Sequence, residues 1–121
     1  MVLGLSQVAT VVPGSGIYLR FDNSAFTDTN FTMVCGQAGV YSATSLGVAP
    51  SNAWHSVTFG PGTNANSIKV TFDGTTTDNL CSATTIPTTA LAMVWAYTNV
   101  NTTSGNKADL DFWSFQMPLT R

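Results

Sequence analysis

The chain has 121 residues, a formal net charge of -2, 44% hydrophobic and 8% charged residues, which suits one domain over residues 1–121 with a core of its own and excludes a disordered tail. All six acidic residues are Asp and none is Glu, while 19 Thr, 11 Ser and nine Asn supply the polarity, a composition that favours strands over helical bundles or coiled coils. Only Arg20, Lys69, Lys107 and Arg121 could neutralise phosphates, so nucleic acid is not an expected partner.

Met1 to Gln7 carry no basic residue and no long apolar run, so no signal peptide is expected. The chain is therefore expected to be made and kept in a cytoplasm, or released from it by lysis. No stretch approaches the roughly 18 apolar residues of a membrane helix, so no membrane partner is expected.

A first strand is expected over Gln7–Val12. In Ile17 to Asp22, the residues Ile17, Leu19 and Phe21 alternate with Tyr18, Arg20 and Asp22, the pattern of a half-buried strand. Further strands are expected over Phe31–Cys35, Gly39–Thr44 and Ala53–Phe59. The last of these puts His55 on the side of Val57 and Phe59, with Trp54 opposite. Alternation is cleanest over Ser67–Phe72, where Ile68, Val70 and Phe72 point inward and Ser67, Lys69 and Thr71 outward.

Asp73-Gly74 follows at once. It is the strongest hairpin signal in the chain, because Gly tolerates the positive φ of a tight turn. The return strand is expected in Thr75–Cys81. Leu91–Thr98 is apolar on both faces over most of its length and reads as a central strand covered on both sides. A last strand is expected over Ala108–Met117. The separators Pro13 to Gly16, Gly60 to Asn64 and Asn99 to Asn106 are rich in turn formers. About eight short strands at a spacing near ten residues indicate an all-β fold, an antiparallel β-sandwich or barrel.

His55 is the single histidine. A catalytic role would require a nucleophile and an orienting acid, and a metal role two further ligands. The sequence has no G-x-S-x-G elbow, so His55 is expected to be a partly buried, hydrogen-bonded ring. Asp109 and Asp111 share a strand face and could serve Ca²⁺ with help from carbonyls, or a glycosidase pair, although the absence of Glu weighs against the latter. No catalytic, cofactor or metal residue is therefore assigned. Trp54, Trp95, Trp113 and Tyr18 are the candidate ligand-binding residues, as aromatic platforms for a sugar ring, with core packing as the plainer alternative. Cys35 and Cys81 are expected to be two buried thiols; a disulfide between them requires their strands to come together.

The segments Gly16 to Asp22, Trp54 to Val57, Ile68 to Gly74, Ile86-Pro87, Leu110 to Phe112 and Leu119 to Arg121 resemble, in order and spacing, a lectin-like jelly-roll family of tailed-phage structural proteins. That family is similar to the concanavalin A and laminin-G sandwiches. The resemblance runs from about Gly4 to Arg121 and rests on no single specific motif. It implies a jelly-roll, concanavalin A-like sandwich. The family domain has further strands before the segment that resembles Leu3 to Phe21, which implies a compact variant or completion by a neighbouring subunit. The family's calcium and glycan residues have no residue-by-residue counterparts here.

The expected function is a non-enzymatic virion protein, a capsid decoration (cement) protein located in the virion after synthesis in the host cytoplasm. Its expected partners are copies of itself, as a trimer, and other capsid or tail proteins. A carbohydrate-binding tail fibre or spike is the alternative, with a glycan as ligand. A hydrolase using His55 or Asp111 is the third reading.

Overall fold

A computed structural model describes residues 2–6, 14–22, 25–51, 53–88 and 92–96. Eight strands run in chain order: β1 (Val2–Ser6), β2 (Gly16–Arg20), β3 (Thr32–Gln37), β4 (Val40–Ser45), β5 (Val57–Pro61), β6 (Ile68–Phe72), β7 (Thr75–Leu80) and β8 (Ala92–Ala96). Among the described residues there is no helix. The strands form two antiparallel sheets, a five-stranded one in the order β4-β3-β2-β1-β8 and a three-stranded one in the order β5-β6-β7.

Both sheets begin as meanders, in which each strand pairs with the next. β8 then returns to β1 after the whole second sheet has been made. The arrangement β8-β1-β2-β3 is a Greek-key-like return, three consecutive strands flanked by a later one beside the first.

The alternation read from the sequence decides which face each residue takes. Met33 and Cys35 of β3 meet Ile68 and Val70 of β6 and Leu80 of β7 in one buried cluster, with Ile17 packed against it. Leu19, Phe31 and Phe72 form a second cluster shared by the two sheets. The sheets therefore pack face to face, each covering the apolar face of the other. Cys35 and Cys81 are joined in a disulfide across these sheets, with their Cα atoms 5.7 Å apart, within the usual span of a cystine. The expectation of two separate thiols is thus overturned. The meander carries β3 over the end of β7, which places the two residues opposite each other.

Part of the outer face of the larger sheet is buried as well. Tyr18 and Val34 are buried there, side by side in register. Arg20 lies beside them, and its guanidinium grips Asp28 through Nε–H and Nη2–H donated to Oδ2 and Oδ1 at 2.9 and 3.0 Å. The Phe26 ring stacks on that guanidinium at 3.8 Å. Tyr41 pairs with Gly36 and lies so close above it that a Cβ there would come within 2.7 Å of the Tyr41 ring.

The hairpin expected at Asp73-Gly74 is present. Phe72 pairs with Thr75, and the two turn residues have φ of 48° and 81°, the left-handed values that a two-residue turn matching the strand twist requires. Asp tolerates that conformation better than most residues and Gly adopts it freely.

β2, β3 and β4 are shifted by one or two residues from the ranges expected from the sequence, and two differences are larger. The strand expected over Ala53–Phe59 starts only at Val57, because Asp73 draws the preceding residues into a loop. Val2–Ser6 is a strand that the alternation did not reveal. The strands expected over Gln7–Val12 and Ala108–Met117 lie outside the described residues. β8 falls within the expected Leu91–Thr98 but, among the described residues, is bonded on one side only, to β1.

Candidate functional site

The aromatic residues singled out as ligand platforms separate in the structure. Trp54 is 71% exposed in the loop before β5, the most exposed large apolar side chain among the described residues. Tyr18 is 1% exposed and forms part of the wall of a cavity of about 210 Å³, together with Arg20, Phe26, Val34, Tyr41 and Ala43. Burial pushes the Tyr18 hydroxyl up to about pKa 12, with the nearby Tyr41 adding to the rise and Arg20 opposing it. A ring so enclosed offers no open face for stacking. Trp95 lies on β8 opposite Leu3 of β1. Trp113, and the Asp109–Asp111 pair on which the Ca²⁺ reading rested, lie outside the described residues. Among the described residues, no three His, Cys, Asp or Glu side chains come together as a metal ligand set.

The loop that carries Trp54 holds a second feature. His55 Nδ1 lies 2.6 Å from Asp73 Oδ2, and His55 Nε2 lies 3.0 Å from Ser51 Oγ. An ionised carboxylate only accepts, so Nδ1 carries the donated hydrogen. In the neutral ring Nε2 is then the acceptor, and the Ser51 hydroxyl donates to it. This is the order hydroxyl, imidazole, carboxylate.

Each member is held from a second direction. The Ser56 N–H donates to Asp73 Oδ1 at 2.8 Å, and the Asp73 N–H donates back to the Ser56 carbonyl at 3.0 Å. The His55 ring packs between Phe31 and Phe72, with centroids 5.6 and 5.3 Å away. The Ala53 N–H donates to Ser51 Oγ at 3.2 Å. The hydrogen bond from His55, and after it that from the Ser56 N–H, hold the Asp73 carboxyl below the usual carboxylate range. Asp73 thus stays ionised and available to orient the imidazole.

His55 is a hydrogen-bonded, partly buried ring, as its sequence context led us to expect. Its partners were not foreseen. Ser51 precedes it by four residues in a loop, and Asp73 belongs to a hairpin 18 residues away. No linear motif joins them. The signal available was register: Val57 pairs with Phe72, so the residues flanking that pair, Ser56 and Asp73, must also meet.

A comparable clasp closes the opposite end of the smaller sheet. Asp78 accepts from the Thr63 hydroxyl and, at 3.1 Å, from the Thr63 N–H. Together with the Asn79 N–H, these bonds, led by the Thr63 hydroxyl, lower its pKa. It contains no imidazole and no other group that titrates near neutral pH.

Compared with known proteins, the chain matches no protein-family model, no curated protein and no solved structure.

Proposed function

We propose that this chain is primarily a structural module that assembles with copies of itself through the β4 edge of its larger sheet. The observation that carries this reading is the contrast between β4 and the edges of the smaller sheet. β5 ends in an exposed proline, Pro61. β7 carries a bulge in its pairing with β6 and the charged Asp78. Proline, bulges and charges are the devices that keep sheet edges from pairing with other chains. β4, Val40-Tyr41-Ser42-Ala43-Thr44-Ser45, has none of them. Among the described residues it pairs with β3 alone, and Val40 and Tyr41 are 56% and 44% exposed.

A second copy can extend the sheet there by backbone hydrogen bonds, with Val40 and Tyr41 supplying apolar burial. The sparse charge of the chain leaves little repulsion between copies. The resemblance supplies the setting: a concanavalin A-like jelly roll acting as a capsid decoration protein of a phage particle, as a trimer, bound to other virion proteins. The face-to-face sheets and the Greek-key-like return of β8 support that type of sandwich. A glycan-binding tail module is the second reading, favoured by the exposure of Trp54.

Native mass measurement tests the assembly. We expect an oligomer whose mass barely changes between 0.05 and 1 M salt, because few charges are involved (Debye lengths of about 14 and 3 Å). Val40→Lys should dissociate it while leaving the far-ultraviolet circular dichroism unchanged. A wild-type monomer, or an oligomer indifferent to Val40→Lys, refutes assembly through β4. Glycan-array binding lost in Trp54→Ala would instead establish the second reading.

A further inference from the structure

We infer that Ser51, His55 and Asp73 form a nucleophilic acyl-transfer site, an activity beyond the structural role and independent of it. The geometry meets the requirements of an activated serine. The hydroxyl is within hydrogen-bond reach of an imidazole nitrogen, and a carboxylate fixes the opposite nitrogen as the donor. The two phenylalanine rings and the Ser56 N–H hold the imidazole and the carboxylate in place before any substrate arrives. The Ala53 N–H provides a backbone donor at the nucleophile.

The chemistry balances with water as the sole co-reactant. Ser51 Oγ attacks the carbonyl carbon of an ester while its proton passes to His55 Nε2. The carbon–oxygen bond to the leaving alcohol breaks as His55 returns that proton to the alcohol, leaving an acyl group on Ser51. A water molecule then adds to the acyl carbon and gives a proton to Nε2. The bond from carbon to Oγ breaks, Ser51 regains its proton, and a carboxylic acid leaves.

Position narrows the substrate. Ser51 and Asp73 are both exposed, and the cavity lined by Tyr18 lies on the outer face of the larger sheet, away from the core that His55 borders. A site on an open corner cannot enclose a large acyl chain. It suits a small acyl group, such as acetyl, presented as an ester on a larger molecule. Trp54, the neighbour of His55, offers an exposed flat surface for that carrier.

The full chain is treated with a fluorophosphonate probe, and the adduct is mapped by peptide mass. We expect labelling at Ser51, abolished in Ser51→Ala and slowed about 100-fold in His55→Gln, in line with the loss of a general base. A wild-type chain that labels no faster than Ser51→Ala overturns the proposal. Ser51→Cys gives a second measurement that does not depend on turnover. The natural cysteines are paired, so the new thiol is the single free one. An imidazole at hydrogen-bond distance should speed its alkylation by iodoacetamide at pH 7 about tenfold relative to the Ser51→Cys/His55→Gln double variant. Equal alkylation rates in the two would also overturn the proposal, whatever the probe result.

Discussion

A carboxylate that ties two segments together titrates differently from one in water, and Asp28 is the clearest case here. It accepts two hydrogen bonds from Arg20 and one from the Asp22 N–H at 3.0 Å. Burial pushes its pKa up, but the Arg20 and Asp22 hydrogen bonds and the Arg20 charge outweigh that and hold it below the ordinary carboxylate value. A depressed folded-state pKa contributes stability that is complete above the unfolded value of about 4. The contribution is lost as pH falls through the lower folded value. Asp73 and Asp78 act in the same sense. Asp28→Asn should therefore cost about 3 kcal/mol at pH 7, because it leaves Arg20 largely buried without its partner charge. It should also flatten the fall in urea midpoint between pH 5 and pH 2. A midpoint that falls as steeply as in the wild type would show that the other two carboxylates govern acid sensitivity.

Among the strands, β2 and β6 were legible because their apolar residues alternate without interruption, and the turn after β6 because Asp-Gly has few other uses. β1 was not, since Gly4 breaks its apolar pattern. That glycine is required: its φ is 154°, and a Cβ there would collide with the Ile17 carbonyl oxygen and with Tyr18 across the strand pair. The missing side chain that hides the strand from sequence reading is what lets it lie beside β2. The site was illegible for a different reason. Its parts come from a loop and a hairpin turn, and only the pairing of β5 with β6 brings them together. The disulfide depended in the same way on how the sheets face each other. Joining residues 46 apart, it restricts the unfolded chain by on the order of 4 kcal/mol. The Cys35→Ala/Cys81→Ala double variant should lower the melting temperature by roughly 15 °C. A shift of under about 2 °C would mean that the sheets hold together without the bond.

At the scale of the whole molecule, two sheets share one core, and the disulfide crosses it from β3 to the end of β7. The bond also makes a closed ring of the chain from Cys35 to Cys81. Ser51, His55, Trp54, Asp73 and the β4 edge all lie on that ring. Among the described residues, the loops that join β4 to β5 and β5 to β6 are exposed stretches that a protease can reach. One cut in either opens the ring without parting the molecule. The two pieces remain tied through sulfur, and the core still presses the sheets together. After limited digestion with thermolysin, which cuts before apolar residues such as Leu46, Val48 and Ala65 in these loops, we expect a band of full-length mobility without reductant that falls into two fragments when reductant is added. Separate fragments under both conditions would contradict the ring. Damage at the surface is thus recorded in the backbone but hidden from the shape, and it takes a reducing environment to turn a nick into a loss.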